Sequence, residues 1–123
     1  MKNFNSIKKN SDFQNVYNKG KSYANKQLVM YVLDNNMKNS RIGISVSKKV
    51  GNSIVRHRIT RLIRECYRLN EDKLERNIDI VVVVRIQAKE AGFHEIMKSY
   101  LHLCNLHKIL KEMVQLEGNK EDT

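Results

Sequence analysis

The stretch Val46-Ser47-Lys48-Lys49-Val50-Gly51-Asn52-Ser53-Ile54-Val55-Arg56-His57-Arg58-Ile59-Thr60-Arg61-Leu62-Ile63-Arg64-Glu65 decides how this chain folds and what it can touch. Its first residues close a run, Arg41 to Ser47, that alternates polar and apolar as a strand with one buried face does. Asn52 or Ser53 can then cap a helix that runs to about Asn70. At about 100° per residue, Arg61, Arg64, Arg68 and His57 fall within roughly 60° of one another, with Arg56 and Arg58 flanking them. Val55, Ile59, Leu62, Ile63 and Cys66 occupy the opposite side. One face of this helix suits a core and the other a polyanion, because each guanidinium presents a planar fork of donors that matches phosphate oxygens.

Working outward, Ile78 to Val84 is a nearly unbroken β-branched run and reads as a central, buried strand. A last helix begins near Gly92, where Phe93, Ile96, Met97, Tyr100, Leu101 and Cys104 recur at amphipathic spacing. Upstream, Ser11 is a candidate N-cap for a short helix that carries Phe13, Val16 and Tyr17 and ends near Gly20. Residues 22–34 are strand-like and stop at the turn formers Asp34-Asn35-Asn36. The expected order is α-β-β-β-α-β-α, an α+β chain folded as one two-layer α/β sandwich over residues 1–123. It has no linker and no repeat, and a frayed polar tail over 118–123. The strand–helix–strand unit from 41 to 84 invites a parallel crossover, right-handed by default.

The net charge of +10, from 23 basic and 13 acidic residues, is unevenly spread. Residues 1–70 hold 15 Lys and Arg against 3 Asp and Glu, whereas residues 71–123 hold 8 against 10. A basic half joined to a near-neutral half suits a polyanionic partner, nucleic acid first. No long apolar span and no signal-peptide core argues for a membrane. Cys66 and Cys104 lack any C-x-x-C spacing and read as reduced, buried thiols of a cytosolic protein. His57, His94, His102 and His107 show no zinc-ligand spacing, so no metal site built from side chains is expected.

Lys48 and Lys49 follow the strand, Gly51 permits close backbone approach, and the helix N-terminus adds free N–H groups and a positive dipole end. Acids are absent from Lys38 to Arg64, so salt bridging along the helix cannot account for the charge run there. The basic half offers only Asp12, Asp34 and Glu65 as carboxylates, nothing suggests a two-metal carboxylate site, and no nucleophile–base pair is evident.

This segment resembles the bacterial ribonuclease P protein component. Its Lys-Lys-x-Gly-Asn stretch, followed by a basic Arg-Asn-Arg-x-Lys-Arg-x-x-Arg-Glu helix, is matched at Lys48, Lys49, Gly51, Asn52, Arg56, Arg58, Arg61, Arg64 and Glu65. His57 stands where the family usually has Asn, and Thr60 where it usually has Lys. A second match runs from Lys8 to Ser22, and a third covers Asn25 and Leu28 to Tyr31.

The resemblance implies a left-handed strand–helix–strand crossover and a protein subunit of a ribonucleoprotein endonuclease that removes the 5′ leader of precursor tRNA. Hydrolysis is then expected in the RNA subunit and its Mg²⁺ ions, with no catalytic side chain in the protein. It implies that Arg56, His57, Arg58, Arg61, Arg64 and Arg68 face the catalytic RNA. It further implies a leader cleft lined by Phe13, Tyr17 and Tyr31, with Ser45, Ser47, Lys48, Lys49 and Asn52 near its rim. The partners expected are the catalytic RNA and precursor tRNA, in the cytoplasm and away from membranes. From spacing alone Phe13 and Tyr17 read as core residues; the resemblance moves them to the cleft. Competing readings are a ribosomal protein or RNA chaperone of similar fold, an RNA-independent nuclease, and a phosphate- or membrane-surface module.

Overall fold

A computed structural model describes residues 5–113. The elements are α1 (Asn10–Lys19), β1 (Lys21–Ala24), β2 (Leu28–Asp34), β3 (Arg41–Ser45), α2 (Ser53–Asn70), β4 (Ile78–Val84) and α3 (Phe93–His107), with short 3₁₀ turns at Glu71–Lys73 and Ile86–Ala88. The α-β-β-β-α-β-α order is the one read from the sequence. The tail expected at 118–123 lies outside the described residues.

The strands form one sheet in the order β1-β2-β4-β3. β4 pairs antiparallel with β2, from Leu28↔Val84 to Asp34↔Ile78, and parallel with β3, from Arg41↔Asp79 to Ser45↔Val83. A strand flanked on both sides and covered on both faces has no solvent side, which is why β4 reads as an apolar run rather than an alternation. Its residues Ile78, Ile80, Val82 and Val84 join Leu28, Met30, Val32 and Ile42 in the main core beneath α2 and α3. By the period of two, Val81 and Val83 point the other way, with Tyr31 and Leu33, into a smaller core made with Ile7, Val16, Phe13 and Tyr17 of the α1 region. The sheet therefore carries α2 and α3 on one face and α1 on part of the other. Ile59, Ile63, Cys66 and Tyr67 of α2 and Ile96, Tyr100, Leu103 and Cys104 of α3 are fully or almost fully buried. Each large side chain of this set stabilises the fold by about 1.5–3 kcal/mol through burial.

Three boundaries differ from the sequence reading. α1 starts at Asn10 with the extended Lys9 before it, so Ser11 is not its cap, and no side chain caps that end. The strand-like run 22–34 divides at Asn25, whose Oδ1 accepts the N–H groups of Gln27 (3.2 Å) and Leu28 (3.0 Å) and so turns the chain into a hairpin. β3 ends at Ser45, leaving Val46 and Ser47 in the connection to α2.

Candidate nucleic-acid interface

α2 begins as its sequence requires. The Asn52 Oδ1 accepts the Val55 N–H at 3.0 Å, which caps the helix. The preceding turn closes through Val50 N–H to the Ser47 carbonyl at 3.1 Å and leaves Lys48 and Lys49 exposed. A Cβ on Gly51 would lie 2.9 Å from two side-chain carbons of Val55, so only glycine lets the turn approach the helix this closely.

The six basic residues expected on the RNA face fall into distinct groups. His57, Arg61 and Arg64 are exposed, and among the described residues no acid pairs with Arg61 or Arg64. Arg56 donates through Nε to the Gly51 carbonyl at 3.2 Å, which leaves its two terminal nitrogens available. Arg58 directs both terminal nitrogens at backbone, Nη1 to the Ala91 carbonyl (2.9 Å) and Nη2 to the Lys89 carbonyl (2.6 Å). Arg68 is paired with Glu65 one turn back, at 2.9 and 2.5 Å. Among the described residues Arg61 and Arg64 are thus unpaired with any acid, whereas Arg68, beyond the acid-free run from Lys38 to Arg64, is paired. The hydrogen bonds to Arg68 hold the Glu65 carboxyl below its usual range.

The aromatic residues expected in a cleft do come together. Tyr17 and Tyr31 meet edge to face with ring centroids 5.0 Å apart, and Phe13 lies 6.3 Å from Tyr17. All three are half-buried. Phe13 sits over Gly43 of β3, where a Cβ would come within 2.8 Å of two ring carbons. Tyr31 and Ser45 share this face of the sheet, since Tyr31 pairs with Val81 and Gly43 pairs with Val81 from the other side, two residues before Ser45. Ser47, Lys48, Lys49 and Asn52 lie along the connection that leaves the end of β3.

Arg41 is the residue that sequence reasoning set aside. It donates to both carboxylate oxygens of Asp79 (2.9 and 2.6 Å) and to Asp12 of α1 (3.3 Å). The signal was an acid, Asp79, inside an otherwise apolar central strand; a buried carboxylate needs a partner. The hydrogen bond to Asp79 is the main cause that raises the Arg41 pKa, against a smaller opposing effect of burial.

Cys66 and Cys104 are free and fully buried, and burial pushes both thiols up to about 12. Thiols so hard to ionise are poor nucleophiles and poor metal ligands. Among the described residues no three His, Cys, Asp or Glu side chains converge as a metal site. His107 packs edge to face on Tyr23 at 4.7 Å and donates from Nε2 to the Met30 carbonyl at 2.9 Å.

A family model described as Ribonuclease P matches residues 1–111. The chain is 55% identical over 105 residues to the ribonuclease P protein component of Lachnoclostridium phytofermentans, covering 85% of this chain and 90% of that protein. To the ribonuclease P protein component of Clostridioides difficile it is 53% identical over 98 residues, covering 79% and 86%. Among solved structures it resembles the RNase P protein of Staphylococcus aureus with a TM-score of 0.82 and 39% identity, over 88% of this chain and 99% of that one. The RNase P protein of Thermotoga maritima aligns with a TM-score of 0.74 and 28% identity, over 89% and 98%.

Proposed function

The chain belongs to the ribonuclease P protein family, and from that membership we propose how its two surfaces serve tRNA processing. It is a subunit of the ribonuclease P endoribonuclease and has ribonuclease P RNA as its partner. In our reading the exposed face of α2, with Arg61, Arg64, His57 and the free end of Arg56, holds that RNA through its phosphates. The half-buried aromatic face of Phe13, Tyr17 and Tyr31, together with Lys48 and Lys49 of the turn that leaves β3, holds the single-stranded leader of precursor tRNA. Stacking on aromatic rings beside cations grips unpaired bases without reading their sequence.

Hydrolysis in this reading belongs to the RNA subunit and its Mg²⁺ ions. The protein's own donor set does not fit a catalytic metal: Asp12, next to Phe13 on α1, and Asp79 of β4 both hold Arg41. The protein's part is to bind and position. No described helix is long and apolar enough to cross a membrane, and we assign the work to the cytoplasm, with the RNA. The observation that carries the reading is the pair of exposed arginines one turn apart, Arg61 and Arg64, with no acid paired to them among the described residues, on a helix whose other side is core. The test is cleavage of precursor tRNA by the catalytic RNA at low Mg²⁺, with and without the protein. Faster cleavage with the protein supports it. Cleavage by the RNA-free protein would instead favour a protein nuclease.

A further inference from the structure

We infer that Arg58 is a positioning residue rather than a phosphate contact: its guanidinium ties the β4–α3 connection to α2 and so sets the shape of the RNA surface. This rests on the reading of α2 as the RNA face. The sequence puts Arg58 among residues of one kind, but its geometry sets it apart. Both Nη groups end on carbonyls, at 2.6 Å on Lys89 and 2.9 Å on Ala91. Among the described residues no backbone N–H reaches either carbonyl, so Arg58 satisfies two acceptors that would otherwise need water. Those carbonyls belong to a segment with little regular structure of its own. It leaves β4 through the Ile86–Ala88 turn, is held at its start by Arg85 N–H on Gln27, and reaches α3 at Phe93. Ala88 and Ala91 are buried, while Arg85 and Lys89 are exposed. The tie thus fixes a loop bearing two exposed cations beside the arginine helix. A planar fork can bridge two carbonyls two residues apart; a lysine offers one nitrogen and cannot reproduce that geometry. Freed of the tie, the loop must be ordered when RNA binds, which costs affinity without removing a phosphate contact.

The test uses Arg58→Ala, Arg58→Gln and Arg58→Lys in the full chain, titrated with ribonuclease P RNA over a salt series, with hydrogen exchange followed at amides 86–92. The expected result is a log–log salt slope within about 0.3 of wild type for all three variants. Binding by Arg58→Ala should be about three- to tenfold weaker. Exchange at 86–92 should be faster, and Arg58→Lys should not restore the wild-type affinity. The inference is overturned if Arg58→Ala and Arg58→Gln both flatten the slope by about 0.7–0.9 and Arg58→Lys restores it, the behaviour of a phosphate contact. Arg61→Ala and Arg64→Ala run beside them. If neither changes the slope, the RNA-face reading itself fails and takes the inference with it, whichever way Arg58 behaves.

Discussion

Arg41 and Asp79 are register partners across the parallel β3–β4 pairing, and Arg41 grips both oxygens of Asp79 while its remaining nitrogen reaches Asp12 on α1. One guanidinium therefore joins an edge strand, the central strand and the helix that carries Phe13 and Tyr17. Asp79 is only 3% exposed and also accepts from the Asn35 amide at 2.7 Å. A carboxylate this deep is tolerated because three side-chain donors satisfy it.

Removing one partner should cost far more than removing both. Arg41→Met leaves Asp79 buried without its cation and should lower stability in urea unfolding by about 3–5 kcal/mol. The double variant Arg41→Met with Asp79→Leu should recover most of that loss, since a well-packed apolar pair often equals a buried ion pair. Equal, additive losses in the two single variants and the double would mean that the pair is not coupled.

The exposed arginines of α2 should act as independent phosphate contacts. If about four phosphates are neutralised in total, the log–log salt slope for ribonuclease P RNA should be of order −3 to −4. Arg61→Ala and Arg64→Ala should each make it shallower by roughly 0.7–0.9. Arg68→Ala should change it less, because Arg68 already shares its charge with Glu65. A slope that moves most with Arg68 would reverse this ordering.

How much of this was legible in the sequence follows from what each feature depends on. α2, from Ser53 to Asn70, was readable end to end because cap, period and charge all agree locally. β4 was readable as central because Ile78 to Val84 has no polar face to give to solvent. What the sequence could not supply was the fate of individual arginines. Arg58 and Arg61 are the same residue on the same helix, yet one faces carbonyls of a loop 31 and 33 residues away and the other faces solvent. That difference arises only when the β4–α3 connection packs beside α2. Arg68 differs from both for a nearer reason: Glu65 lies one turn back and pairs with it. Gly43 gave a signal that was not used. A glycine inside a strand marks close approach by another group, here the ring of Phe13.

His107 makes stability depend on pH in a stated direction. Burial is the main cause that lowers its pKa from 6.5; the hydrogen bond to the Met30 carbonyl opposes this, and Lys21 and Arg76 add to the lowering. The unfolded chain therefore binds the proton first. Stability is full above about pH 6.5 and falls as the pH drops from there towards the lower folded-state pKa. His107→Gln, which can still donate to the Met30 carbonyl, should flatten the stability profile between about pH 5 and 7 relative to wild type. A profile of unchanged steepness would show that His107 is not the group responsible.

The last prediction separates substrate recognition from packing at the aromatic face. Phe13, Tyr17 and Tyr31 are half-buried, so each has one side against the small core and one side available. A ring in this position can serve the fold, the leader, or both. Stacking contributes about 1–3 kcal/mol per base, and it should act only on substrates that possess a leader. Phe13→Ala and Tyr17→Ala are first checked for folding by circular dichroism, then assembled with the catalytic RNA. Affinity for precursor tRNA with a leader of several nucleotides should fall by roughly ten- to a hundredfold, which corresponds to about 1.4–2.8 kcal/mol. Affinity for mature tRNA should hardly change. Phe13→Ala carries an added structural cost, because it uncovers Gly43 and removes a ring from the core beside Val81. Tyr17→Ala is therefore the sharper of the two. If Tyr17→Ala weakens leader-bearing and leaderless substrates alike, the aromatic face serves the fold or the RNA contact, and the leader must be held elsewhere on the subunit.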